Sequence, residues 1–112
     1  MLYHLIIYCP LSDADAVRKA AAEAGAGKIG DYDSCSFSAR GTGRFRPLKG
    51  ADPAIGSVGV LEEVEEERIE MVAPAASIGK ILKAIVAAHP YEEPAIHVLP
   101  MEDYRTLLDS KT

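Results

Sequence analysis

The sequence has 112 residues, 48% of them hydrophobic and 26% charged, with a formal net charge of −5. This length predicts one domain, residues 1–112, that buries a core without staples. An acidic chain is a poor general nucleic-acid binder, because that function needs surplus lysine and arginine to neutralise phosphates. The apolar start lacks a basic signal-peptide region and is too short to span a bilayer. We therefore expect a cytoplasmic protein with neither nucleic-acid nor membrane partners.

The first half of the chain predicts two strands and a helix. LYHLIIYC (residues 2–9) is rich in β-branched and aromatic residues, and its near-continuous apolarity favours a central strand covered on both faces. Ser12 is a good N-cap and Asp15 resembles the second half of a capping box. Gly25 is a natural stop for the alanine-rich helix that follows. In CSFSAR (residues 35–40), apolar and polar residues alternate, which predicts a second strand.

The second half begins with a long glycine- and proline-rich segment. GTGRFRPLKGADPAIGSVG (residues 41–59) has neither helical nor strand periodicity and predicts a loop, and loops of this length usually carry function. VGVLEEVEEERIEMVAP (residues 58–74) indicates a long third strand that bends or bulges near Val64. ASIGKILKAIVAAH (residues 76–89) has apolar residues at helical spacing and ends before Pro90.

The order of the elements predicts the fold. AIHVLPM (residues 95–101) adds a fourth strand, and residues 102–112 a short helix or docking arm. Strand, helix, strand, strand, helix, strand is the order of the α+β ferredoxin-like βαββαβ fold, an antiparallel sheet with both helices on one face. The other face of the apolar first strand must then be covered, and a second copy of the chain is the simplest cover. We therefore predict an obligate homo-oligomer, dimer or trimer.

Two blocks carry a family resemblance: residues 25–70, which contain GTGRFRPL, and AHPYEEPA (residues 88–95). They resemble the insert domain of the NGG-one-interacting-factor-three-like (NIF3-like) family, also called YqfO-like, and the resemblance runs from about Leu2 to Met101. A GxGxFRPL loop and an HPYEEP turn at this separation are specific. The resemblance implies a fold like that of CutA and PII signalling proteins, which is ferredoxin-like and typically trimeric.

The resemblance also bears on activity. Larger members, called GTP cyclohydrolase type 2 homologues, hold a dinuclear metal site in an outer domain that this sequence does not match. None of His4, His89 and His97 can be placed on its metal motifs, so we do not expect cyclohydrolase chemistry here. The sequence departs from the family pattern at Glu67, where an apolar residue is commoner, and at His97, where an acidic residue is commoner.

The AHPYEEPA stretch has two interpretations. His89, Glu92 and Glu93 combine imidazole with carboxylates, which suits a divalent metal such as zinc, manganese or iron. Alternatively the stretch is structural: Pro90 stops the helix, His89 lies in its last turn, and Tyr91 packs and bonds across a subunit contact. The cofactor is accordingly either absent or a divalent metal.

The ARGTGRFRPLK stretch is the second candidate site. Its glycines leave backbone amides free to approach an anion, its arginines fork onto phosphate or carboxylate oxygens, and its phenylalanine stacks on a ring. The predicted ligand-binding residues are Arg40, Gly41, Gly43, Arg44, Phe45 and Arg46. Alternatively, the arginines pair with the glutamates between Glu62 and Glu70, within the chain or across a subunit boundary.

Other reactive side chains are less informative. His4 and His97 are predicted on neighbouring strands, where a cross-strand pair binds a metal or is simply half-buried. Cys9 and Cys35 are interpreted as inert thiols, because no CxxC motif is present and a cytoplasmic chain rarely keeps a structural disulfide.

Two functions follow from these features. The leading hypothesis is a non-catalytic, small oligomeric binding or regulatory domain whose ligand is an anionic small molecule, a metal or a protein partner. The alternative is a metal-dependent hydrolase of small phosphorylated or nucleotide substrates, which would use His89, Glu92 and Glu93.

Overall fold

Four strands form one antiparallel sheet in residues 1–108, the part of the chain that the computed structural model describes. The order across the sheet is β2-β3-β1-β4, and every neighbouring pair is antiparallel. This confirms the predicted α+β ferredoxin-like βαββαβ fold. Along the chain, the elements are β1 (Leu2–Pro10), α1 (Ala14–Glu23), β2 (Phe37–Phe45), β3 (Glu62–Pro74), α2 (Ile78–Ala88), β4 (Ile96–Met101) and α3 (Tyr104–Leu107).

The core lies between the helices and one face of β1 and β3. Leu5, Ile7 and Cys9 alternate along β1 and are 0% exposed, whereas the residues between them are half-buried on the other face. Burial is the main cause that raises the pKa of Cys9 to about 11, so its thiol stays protonated at neutral pH. Cys9 is therefore a small core side chain, as predicted.

The second helix follows its sequence pattern closely. Ile81 and Ile85 are fully buried in the core, and α2 ends at Ala88. His89 is the C-cap: its amide still donates to the carbonyl of Ile85 at 2.9 Å, but its ψ of 136° is extended. An extended residue is what a following proline requires. The sequence predicted His89 in the last helical turn, whereas the structure places it one residue beyond the end of α2.

The predicted start of the first helix was wrong, and its end was right. A 3₁₀ turn, Leu11–Asp13, precedes α1, and the N-cap is Asp13 with no side-chain cap bond. The hydroxyl of Ser12 donates to Asp13 Oδ2 at 3.1 Å, so it does not cap the helix. At the other end Gly25 has a φ of +118° and its amide donates to the carbonyl of Ala22, as a glycine after a helix does.

The predicted loop over residues 41–59 was wrong in its first part. Strand β2 continues through Phe45, and its pairing with β3 runs without a break from Phe37–Glu70 to Phe45–Glu62. No bulge therefore interrupts β3 near Val64. Glycine weakens a strand on propensity alone, but the ladder with β3 overrides that preference here. The irregular segment is shorter than predicted and covers residues 46–61.

A partly buried ion pair stands on the helix side of the sheet. Glu67 is 9% exposed and its Oε1 accepts from Arg18 of α1, which also contacts Asp15 and the hydroxyl of Ser38. The charge of this nearly buried carboxylate is thus compensated by a cation from the neighbouring helix.

The chain is elongated. Its radius of gyration is 16.1 Å, against about 13 Å for a compact chain of this length, and its extents are 59 × 25 × 22 Å. The length comes partly from the β2–β3 hairpin, because β3 pairs with β1 only from Glu66 onward. The sheet face away from the helices also exposes large apolar side chains to solvent: Phe37 is 64% exposed and Leu99 is 49% exposed.

Two further sequence predictions concern the ends of the chain. The short terminal helix is present as α3, and the remainder of that segment, residues 109–112, lies outside the described residues. Among residues 1–108, no helix is long and apolar enough to cross a membrane.

Candidate functional site

His89 joins the turn after α2 to the end of β1. Its Nε2 lies 2.7 Å from the carbonyl oxygen of Tyr8, and its Nδ1 lies 3.1 Å from the amide nitrogen of Tyr91. A carbonyl only accepts and an amide only donates, so this pattern describes a neutral ring with its proton on Nε2. Both ring nitrogens of this buried residue are therefore used in holding the turn, and a metal at either one would displace a hydrogen bond.

Tyr91 is fixed by its ring and by its hydroxyl. The ring centroid lies 5.1 Å from that of His89 and 5.6 Å from that of Phe45. The hydroxyl donates to Glu66 Oε2 at 2.7 Å. Burial, then the hydrogen bond to Glu66 and its charge, raises the pKa of Tyr91 above the ordinary tyrosine value. The sequence predicted a bond across a subunit contact, whereas this hydroxyl bonds within its own chain and stays protonated.

Glu66 belongs to the candidate site, and the sequence analysis missed it. It is 8% exposed, although it belongs to a run of glutamates that is typical of a solvated strand. Its carboxylate leans over Gly43 of the neighbouring strand, and a Cβ at Gly43 would overlap Oε1. The alternation of strand positions could have revealed it, because every second residue of a strand lies on the same face. On β3, Glu66 and Val64 share the face on which their partners in β2 are Gly41 and Gly43.

The two stretches singled out in the sequence line a single cleft. Its volume is about 420 Å³, and its floor includes Tyr8 and Glu66. Arg44 through Leu48 form one wall and Tyr91 through Glu93 another, with the loop at residues 51–55 beside them. The loop is tied to the turn because the amide of Asp52 donates to Glu92 Oε1 at 3.0 Å.

The predicted ligand-binding residues divide into three groups. Arg44, Phe45 and Arg46 line the cleft, and Gly43 lies beneath the carboxylate of Glu66. Arg40 and Gly41 are not among the lining residues; both are exposed on β2. Proximity in sequence therefore does not bring all six residues into the cleft, because its lining on this side begins at Arg44.

The cleft arginines have different partners. Arg44 Nε donates to Glu63 Oε1 at 3.1 Å, so one arginine does pair with the glutamate run, within the chain. Both side chains of that pair are exposed. For Arg46, no ion pair within 4 Å is found among residues 1–108.

The fold does not bring further metal-ligating side chains to His89, Glu92 and Glu93 within residues 1–108. Across residues 1–108, no group of three or more His, Cys, Asp and Glu side chains is placed to hold a metal ion. Glu92 and Glu93 line the cleft, whereas His89 faces β1. A metal site at His89, Glu92 and Glu93, and the hydrolase that would use it, stay predictions. Stoichiometric metal in protein purified without chelator, lost on His89→Ala, would support them.

The two other histidines have separate partners. His4 Nε2 lies 2.9 Å from Glu70 Oε1, and this bond is the main cause that lowers the pKa of Glu70. The ring of His97 packs edge-on against Tyr8, with centroids 5.6 Å apart. Their strands are neighbours, as predicted, but each ring is engaged by a different side chain.

No family model matches this chain, but individual relatives do. It is 54% identical over 96 residues to the GTP cyclohydrolase 1 type 2 homolog of Mycobacterium bovis, which covers 86% of this chain and 25% of that protein. It is 44% identical over 100 residues to the protein of the same name from Halalkalibacterium halodurans, covering 89% of this chain and 27% of that one. The chain thus spans about a quarter of the length of the curated relatives it matches.

Solved structures give the same relationship. The Bacillus cereus protein related to NIF3 superposes with a TM-score of 0.79 at 45% identity, over 91% of this chain and 26% of that one. CutA from Archaeoglobus fulgidus superposes with a TM-score of 0.66 at 19% identity, over 92% of this chain and 86% of that one. The PII-like protein CutA from Nostoc sp. PCC 7120 superposes with a TM-score of 0.65 at 15% identity, over 92% of this chain and 84% of that one. The chain is therefore homologous to a region of the NIF3-related GTP cyclohydrolase 1 type 2 homologs, and its fold is that of CutA and PII-like proteins.

Proposed function

We propose that this domain is a non-catalytic binding or regulatory module that takes a small anionic ligand in the cleft. The observation that supports this most is the meeting of the Arg44–Leu48 wall with the Tyr91–Glu93 turn. The volume of about 420 Å³ lies within the ~300–1,000 Å³ of small-molecule sites. Mostly apolar walls with a few polar groups are also typical of such sites.

The chemistry of the walls favours an anion with an apolar body. Arg46 has no ion-pair partner among residues 1–108, and the planar fork of its guanidinium matches carboxylate or phosphate oxygens. Phe45, Leu48 and Tyr91 supply apolar and aromatic surface beside it. The irregular segment at residues 46–61 carries much of this wall, and ordering of that segment around a ligand is the proposed mechanism of capture.

Anion binding is tested first with inorganic pyrophosphate, by isothermal titration calorimetry. We expect Arg46→Ala to weaken binding about tenfold, the usual loss for one charge-assisted hydrogen bond. Arg40→Ala is the matched control, because Arg40 is an exposed arginine on β2 that does not line the cleft. Equal losses in both variants would show non-specific attraction to positive charge and would count against the cleft.

Self-association is the second part of the proposal. The sheet face that carries Phe37 and Leu99 is open, and a second copy of the chain is the proposed cover. Sedimentation velocity at micromolar concentration should give a particle of two or three times the mass of one chain. Leu99→Glu should lower that multiple, whereas Val86→Glu, at a 53% exposed position on α2, should leave it unchanged. A wild-type monomer would contradict this part of the proposal.

A further inference from the structure

Two residues of opposite charge, Glu66 and Arg46, line the cleft but do not form an ion pair with each other. Glu66 lies at the floor and Arg46 on the wall, and no ion pair within 4 Å joins them in residues 1–108. Arg44, the other lining arginine, is committed to Glu63. Glu92 and Glu93 of the turn line the cleft as well. The cleft therefore presents both carboxylates and an arginine side chain to the same ligand.

Glu66 is only 8% exposed, and among residues 1–108 no cation lies within ion-pairing distance of its carboxylate. Its Oε2 accepts from the Tyr91 hydroxyl, and its Oε1 is directed over Gly43, where no side chain intervenes. A neutral hydroxyl compensates a buried negative charge only in part. A positively charged or N–H-bearing group would complete its coordination with a stronger, charge-assisted hydrogen bond.

The surfaces between the two charges suit a flat or cationic group. Phe45 and Tyr91 pack against each other at a tilt of 58° and both line the cleft, and Tyr8 adds a third aromatic residue to the lining. Aromatic faces attract cations and stack on flat apolar bodies.

We propose that the cleft takes a small zwitterionic organic molecule. Its ammonium or other N–H donor end meets Glu66, its flat middle lies against Phe45 and Tyr91, and its carboxylate or phosphate end meets Arg46. This inference rests on the proposed function, which requires only the anionic end, and it adds the donor end and the role of Glu66.

Three matched probes separate the two ends, each titrated calorimetrically into the full chain. The zwitterion is 4-(aminomethyl)benzoate, 4-methylbenzoate lacks the amine, and benzylamine lacks the carboxylate. We expect each single-ended probe to bind about tenfold or more weakly than the zwitterion, since each loses one charge-assisted contact.

Glu66→Gln tests the donor end directly, because glutamine removes the charge but keeps an oxygen that accepts from Tyr91. This variant should bind the zwitterion about tenfold less tightly and 4-methylbenzoate as the wild type does. Glu65→Gln is the matched control, since Glu65 is exposed at the adjacent position on the opposite face of β3. Thermal unfolding followed by circular dichroism checks that both variants fold.

The other outcomes overturn the inference in distinguishable ways. If 4-methylbenzoate matches the zwitterion and Glu66→Gln changes nothing, the donor end is wrong and the anionic site stands. If benzylamine matches the zwitterion, the anionic end is wrong, and the proposed anionic site is contradicted with it. If no probe binds up to millimolar concentration, the zwitterion is rejected, and the pyrophosphate titration decides the proposed function separately.

Discussion

Gly27→Ala is expected to lower the free energy of unfolding by about 3 kcal/mol or more, from the left-handed backbone and the steric overlap together. Gly27 has a φ of +76°, and its amide and carbonyl bond to Val72 and Cys35. A Cβ there would lie 2.5 Å from the carbonyl oxygen and 2.9 Å from the amide nitrogen of Cys35. These are backbone atoms, so no side-chain rotation relieves the overlap.

The control for this substitution separates the two causes. Gly59 has a φ of +82°, but nothing lies within 4 Å of a Cβ built there. Gly59→Ala should therefore cost only the backbone preference, about 1 kcal/mol. Urea unfolding followed by circular dichroism measures both variants. Equal losses would mean that the segment from Gly27 to Cys35 moves aside freely, contrary to its hydrogen bonds.

Gly43→Ala is expected to weaken binding of 4-(aminomethyl)benzoate about tenfold or more while leaving the fold intact. The new Cβ would overlap Glu66 Oε1, the end of a flexible side chain, which would swing away. The buried carboxylate would then leave the cleft floor and lose its bond from Tyr91. Calorimetry measures the affinity, and the unfolding midpoint should change little.

A second measurement shows whether Glu66 has moved. Its bond and charge help to raise the pKa of Tyr91, so displacing it should lower that pKa toward the ordinary tyrosine value. Carbon-13 tyrosine NMR across alkaline pH reports the shift. Gly41→Ala is the matched control, because nothing lies within 4 Å of a Cβ there. A wild-type affinity and tyrosine titration in Gly43→Ala would contradict the placement of Glu66.

Much of the fold was predictable because its signals are local. The apolar alternation of β1, the helical spacing of Ile81 and Ile85, and the helix stop at Pro90 each depend on neighbours in sequence. Element order then limits the topology to few choices. The length of β2 was not predictable from propensity, because its glycines are held in the sheet by pairing with β3.

The cleft was predictable only in pieces. Arg46 and Tyr91 were each singled out, but their meeting depends on how far the β2–β3 hairpin and the turn after α2 reach across the sheet. Glu66 looked like one solvated glutamate among several, and only the strand register turns it toward Gly43. His89 had the chemistry of a metal ligand, yet the end of β1 and the turn use both of its nitrogens.

The most direct test of the cleft is a proton–nitrogen correlation NMR titration of the full chain with 4-(aminomethyl)benzoate. We expect the largest amide shifts in two separate segments, residues 44–55 and 91–93, which line the cleft together. Their shifts should saturate with one dissociation constant. Shifts confined to one segment, or centred on α1 on the far side of the sheet, would contradict the cleft as the ligand site.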